Sequence, residues 1–305
     1  MPEAHPRTAS RVGSSRRRVD STGSWILGIV ILILGWTTIF FLQNGIEKTY
    51  RRRLAERLVE EMMYFPSGKF LKPVLMEYQD LGADLVWLRS IQYYGYHLMT
   101  DRRYEWLGHI FETLTRLDPF FIAAYHFGSI TLAWDARQPT PAIKLLRTGT
   151  KDNPLNWQLP FDIGFIYYSL LNDFDAAGYY FLIASKLPGA WNVLSRWSAF
   201  AFERAGKNEI SRQIWTDIYN QTNNQAIKAL AERNLTLIQA DEDIAILQAA
   251  VKKYRTAFGK NPPNLYELLK IGYVKYLPKD PWGGLYVLKD SIVFSPKANR
   301  LRSGK

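Results

Sequence analysis

Few residues in this chain can do chemistry. There is no cysteine, which excludes disulfides, thiolate metal sites and cysteine nucleophiles. The histidines are His5, His97, His109 and His126. His97 and His109 stand twelve residues apart across an expected turn. That spacing allows a metal pair; the competing expectation is separate, packed or half-exposed rings. Asp241, Glu242 and Asp243 read as the acidic start of a helix rather than as an acid–base pair. Asn220-Gln221-Thr222 and Asn234-Leu235-Thr236 satisfy the glycosylation triplet, which polar sequences meet by chance. No P-loop, dinucleotide glycine fingerprint or serine nucleophile elbow occurs. The sequence therefore predicts no catalytic residue, no metal and no cofactor. It points to a binding protein and not to an enzyme.

The elements that would carry a binding surface begin at the N-terminus. Trp25 to Leu42 is a run of 18 uncharged residues, about 27 Å of helix and close to a bilayer's hydrocarbon thickness. No small-x-small cleavage site follows it, so a retained anchor is expected rather than a signal peptide. A transmembrane helix is placed at 25–45, after a basic tail at 1–24 and before a helical stem and linker at 46–83. Five Lys/Arg precede the span and five follow it closely, so the flanking charges tie under the positive-inside rule. The short polar tail and the C-terminal resemblance below favour an N-in, C-out topology.

The charge of +11 is uneven. Residues 1–60 carry +5 and residues 246–305 carry +9, against −3 in between. Basic ends can meet phospholipid headgroups, acidic proteins or nucleic acid, or can simply be solvated.

A period runs through the middle of the chain. Pro119, Pro154 and Pro188 are 35 and 34 residues apart. Twelve residues before each stand Leu107, Ala142 and Ala176. Before those, with a two-residue insertion in the second unit, come Gly95, Gly128 and Gly164. A further unit keeps the register through Ser198, Ile210 and Thr222. This is the logic of a helical hairpin: small residues let the two helices approach, and a proline closes the unit. The alternative is an irregular helical bundle.

With Gly164, Tyr167, Ala176, Tyr180 and Pro188 in order, the region 84–240 resembles the tetratricopeptide repeat. The resemblance implies a mostly α fold: a TPR-like α-solenoid whose first helices line a concave groove. Carried onto this sequence, the groove positions are Arg89, Gln92, Tyr96, Tyr125, Ser129, Gln158, Phe161, Phe165, Tyr168, Asn192 and Phe202. Only Arg89 among them is basic, so the carboxylate clamp of chaperone-binding members is missing. The implied ligand is a peptide or helix with apolar anchors. For each aromatic, the competing expectation is a place in the core.

Residues 241–259 read as an amphipathic helix that Asp241 can cap and Gly259 can end. A short helix capped by Asn264 and stopped by Gly272 follows. Two strands, LYVL and SIVF, then flank Lys289-Asp290. This order, with Tyr254, Pro262, Pro263, Leu265, Leu268 and the run GYVKYLPKDPWGG, resembles the C-terminal part of the major pseudopilin of type II secretion. It implies a small α+β cap over 241–305. In it Asp280 bonds forward to backbone amides, Trp282 plugs the sheet against the helix, and Gly283-Gly284 make the tight entry to the strand. Asp290 is the only acid after Asp280, so the calcium site common in pseudopilins is not expected.

Together these features predict a single-pass protein of the bacterial inner membrane with a periplasmic C-terminal part. It would be a scaffold or adaptor that holds protein partners in a larger membrane or envelope complex. An accessory role in a secretion or pilus-like machine, docking through the pseudopilin-like end, is the second expectation. Nucleic-acid binding by the basic end is the third, and no groove-reading helix or aromatic–basic strand pattern supports it.

Overall fold

The computed structural model describes residues 29–47 and 68–303. The chain divides into two units, residues 1–64 and 65–305. Within the first, helix α1 (Ile29–Glu47) has a mean hydropathy of 1.9 and no buried residue, so it is long and apolar enough to cross a membrane. The expected start of the span at Trp25, the linker around Pro66-Ser67 and His5 lie outside the described residues.

The second unit is helical almost to its end. Its elements are α2 (Gly68–Leu75), α3 (Gln79–Met99), α4 (Leu107–Leu117), α5 (Ile122–Ile130), α6 (Pro139–Asp152), α7 (Gln158–Ile166) and α8 (Phe174–Ser185). They continue as α9 (Leu194–Arg204), α10 (Asn208–Gln221), α11 (Gln225–Phe258) and α12 (Leu265–Lys270). The chain ends in β1 (Val287–Lys289), β2 (Ile292–Phe294) and α13 (Pro296–Ser303). From α3 to α11 each helix packs on the next, and α4 also meets α6 as α5 meets α7. Pro119, Pro154 and Pro188 each lie in the turn that follows a helix. Both α5 and α7 end in a wider π-helical turn, at Thr131–Asp135 and Tyr167–Leu171.

Glycine lets rings seat directly on backbone here. A methyl on Gly128 would lie 2.6 Å from the Phe111 ring, and one on Gly164 would lie 2.8 Å from the Phe181 ring. Gly95 meets nothing within 4 Å, so the expected close approach is absent in the first hairpin. Gly164→Ala should therefore cost about 1–3 kcal/mol of overpacking. Gly95→Ala should instead gain up to about 1 kcal/mol of helix propensity. Urea denaturation followed by circular dichroism separates the two; equal midpoints would contradict this packing. In the second helices, Ala177 and Ser211 are fully buried while Ile210 faces out. The buried small positions Ala142, Ala177 and Ser211 thus lie one residue beyond the expected register in the last two hairpins.

The sequence-expected boundary at 241 is not a break. No Gly or Pro interrupts Gln225–Phe258, and α11 runs through it for 34 residues. Asn224 caps it by accepting from the Ala226 and Ile227 amides, and Gly259, at φ +69°, ends it. Asp241 lies inside this helix, so the expected helix start is helix interior. Beyond it, Asn264 accepts from the Glu267 amide, and Gly272 turns the chain at φ +75°. The strands pair antiparallel, with Leu288 opposite Val293.

The hairpin hangs on α11 through Gln248. Its amide donates to the Ser291 carbonyl at 2.7 Å, and its oxygen accepts from the Val293 amide at 2.9 Å. Tyr286, not Trp282, fills the space between sheet and helix, among Leu247, Val251, Tyr254 and Leu268. The Tyr286 hydroxyl donates to buried Asp243 at 2.9 Å. Trp282 is only half-buried. Asp280 accepts from the Trp282 amide at 3.1 Å, so the expected turn chemistry is present.

Candidate functional site

An open cleft of about 730 Å³ is lined by Phe165, Tyr168, Phe181, Trp197, Phe200, Glu203, Arg204 and Asp241. A second hollow of about 360 Å³ shares Phe165 with it and adds His126, Trp134, Phe161 and Asp162. These residues come from α5 and α7, the π-turns that end them, α8, α9 and α11.

Local helix geometry sets the aromatic lane. Phe161 and Phe165 are one helical turn apart on α7 and stack at 6.0 Å between centroids. Trp134 stacks on Phe165 at 5.7 Å, from the π-turn that ends α5. Across the cleft, Trp197 lies 5.8 Å from Phe161 and 5.7 Å from Phe181. Trp191 joins Phe161 to Trp157. Phe200 rests edge-on against Trp215 at 5.0 Å. Such offset and edge-to-face pairs hold the rings rigidly while leaving faces open. Phe165 is 40% exposed, Phe200 41% and Trp197 37%. At the rim the Arg204 guanidinium lies 4.3 Å from the Phe174 centroid and donates to the Tyr168 hydroxyl at 3.2 Å.

The structure brings Phe161, Phe165 and Tyr168 together as expected. It does not bring Tyr125 or Phe202, which are buried in the core; Ser129, also buried, lines the second hollow beside His126 and Phe161. Glycines on neighbouring helices explain two of these: the Tyr125 ring occupies the slot at Gly149, and the Phe202 ring the slot at Gly178. Ser129 donates to its own helix, at the His126 carbonyl. Asn192 lies in the turn before α9, and Gln158 is exposed at the start of α7. Arg89, Gln92 and Tyr96 stand on α3 and do not line this cleft. Sequence reasoning missed Trp134, Trp197 and Phe200. The signal available for Trp197 and Phe200 was the cluster of aromatics at 191–202.

One ionic pair borders the aromatic lane. His126 Nδ1 and Asp162 Oδ2 are 2.6 Å apart, joining α5 to α7. The hydrogen bond that His126 donates to the Asp162 carboxylate pushes the imidazole above its ordinary value near 6.5. Burial pushes the Asp162 carboxyl up, and His126 opposes this only partly. The nearby Ser129 Oγ donates to the His126 carbonyl, and the pair joins α5 to α7. A histidine raised in the fold stabilises it fully below its unfolded pKa and loses that stabilisation as pH rises through the folded value. A carboxyl raised by burial acts in the same direction. Stability should fall as pH climbs above about 6.5, by less than about 1 kcal/mol because the imidazole is half-exposed. His126→Gln should flatten the profile. Denaturation midpoints across this range check it; a rise with pH would contradict it.

Among the described residues, His97 and His109 belong to no group of metal-ligand type. His97 is buried against Tyr93 and Tyr104, with its Nδ1 2.5 Å from Asp101. Among the described residues no group of three His, Asp or Glu converges. No protein-family model, curated protein or solved structure matches this chain.

Proposed function

We propose that this protein is a membrane-anchored interaction module. Its TPR-like helical repeat holds a segment of a partner polypeptide in the aromatic cleft between α7 and α9, for assembly of a larger complex at a bacterial inner membrane. The observation that carries the reading is the cleft itself: Phe165, Trp197 and Phe200 keep open faces while their other faces are braced by further rings. Rigid aromatic anchors in a partly desolvated groove are the usual source of binding energy at protein interfaces. The ligand that fits is an extended or helical segment bearing apolar or aromatic side chains.

The repeat reading is supported by contacts that recur at the repeat distance. Lys144 meets Glu112, Arg147 meets Tyr180, Asn153 meets the Pro119 carbonyl, His126 meets Asp162 and Arg204 meets Tyr168. Each pair is 32 to 36 residues apart in sequence. A solenoid places equivalent side chains of adjacent units side by side in this way. The anchor reading is supported by the length and hydropathy of α1. The α+β end then packs on the long helix α11. Purification of the full chain from membranes in mild detergent tests the proposal. A stoichiometric partner that is lost from a cleft variant is expected; recovery of the chain alone would contradict it.

A further inference from the structure

We propose that the loop 272–286, with the basic end of α11, forms a surface that lies on an anionic lipid bilayer. This is the same bilayer that α1 is proposed to cross, so the inference rests on the anchor reading above.

Charge comes first. Residues 246–305 carry +9, and their only acids are Glu267, Asp280 and Asp290. Asp280 is buried, with its carboxylate turned to the Trp282 amide, so it faces no solvent. A solvated surface normally mixes both signs; this one has almost no negative charge to offset its lysines.

Packing comes second. Val274, Asp280 and Tyr286 pin the loop to the body. Between them Leu277 packs inward, while Lys275, Tyr276, Lys279 and Leu285 are exposed, Tyr276 at 69% and Leu285 at 71%. Lys253 of α11 lies 4.7 Å from the Tyr273 centroid, which brings a basic residue of α11 to the foot of the loop. Apolar tips are thus held away from the core on a basic ground. That combination matches the headgroup zone of an anionic bilayer, where amines meet phosphates and a tyrosine ring sits at the interface.

Each basic residue near such a surface strengthens association by about fivefold. The tether then makes the encounter intramolecular, so weak intrinsic affinity suffices. Nucleic acid would meet the same charges, but phosphate-backbone binding leaves the apolar tips at Tyr276 and Leu285 unused.

The absence of cysteine permits a clean probe. The full chain carrying Tyr276→Cys is spin-labelled and placed in lipid nanodiscs of phosphatidylcholine, with or without phosphatidylglycerol. Relaxation by oxygen, which concentrates in lipid, is compared with relaxation by a water-soluble nickel chelate. A shift towards oxygen is expected only in the anionic discs. High salt and the double change Lys275→Glu/Lys279→Glu should each reverse it. The bound-to-free ratio should fall at least about 25-fold in the double variant, at about fivefold per lysine. Leu285→Cys serves if the first variant misfolds, and Leu155→Cys in the repeat region should stay aqueous. A chain that fails to enter discs overturns the anchor reading and this surface together. A chain that enters while both loop labels stay aqueous in anionic lipid overturns the surface alone, and so does salt-dependent capture of DNA or RNA with the labels aqueous.

Discussion

Replacing Phe165 and Trp197 together by alanine should weaken partner binding by at least about 100-fold while leaving the protein folded. The magnitude follows from the ordinary cost of truncating a central aromatic anchor, about 2 kcal/mol or more each. The fold should survive because both side chains are more than one-third exposed and lie at the cleft rather than in the central core. Their loss still removes ring contacts to Phe161, Trp134 and Phe181, so a drop in stability of about 2 kcal/mol or more is expected. Affinity and melting temperature must be measured on the same samples. Phe120 and Leu155, exposed outside the cleft, give the contrast: Phe120→Ala and Leu155→Ala should leave affinity unchanged. Equal loss from both pairs would mean that the cleft has no special place.

The largest effect on stability should come from Trp215. It is fully buried on α10, against Ala199, Phe202, Ile214, Ala231 and Ile238. Trp215→Ala should cost about 3–5 kcal/mol, since it removes the largest buried side chain and leaves a cavity between α9 and α11. A marginally stable domain loses a large fraction of its folding free energy by that change. The indole N–H finds no acceptor among the described residues. Trp215→Phe removes this unmatched donor as well as some volume, so it should cost much less than the alanine change. It should also keep the edge-on contact that supports Phe200 at the cleft wall. Chemical denaturation of the two variants checks the order; equal costs would show that the N–H is satisfied and the cavity unimportant.

The parts of the fold that could be read from the sequence are those set by local chemistry. Pro119, Pro154 and Pro188 do close helices, and Gly259, Gly272 and Asn264 end or begin them where their types demand. Gly128 and Gly164 do mark close approaches. The parts that could not be read depend on packing between helices. Asp241 carries the right side chain for a cap, yet no residue between Gln225 and Phe258 stops the helix, so the cap signal lost to continuity. Tyr125 and Phe202 sit at positions that would face a groove, but Gly149 and Gly178 on adjacent helices opened slots that swallowed the rings. Asn192 lies in the turn before α9, where Gly189 adopts φ +70°. The paired π-turns have no sequence signature at all, although one of them carries Trp134 onto Phe165.

The cleft and the anchor together make one claim: a polypeptide partner is gripped by rings between α7 and α9 at a membrane. Site-specific photo-cross-linking tests it most directly. A photoreactive phenylalanine analogue is placed at Phe200 in the cleft, and separately at Tyr179, which is exposed on α8 and outside the cleft lining. The account predicts one discrete adduct in the membrane fraction from position 200, abolished by Trp197→Ala and absent from position 179. The absence of any polypeptide adduct at position 200, or equal adducts at both positions, would contradict it.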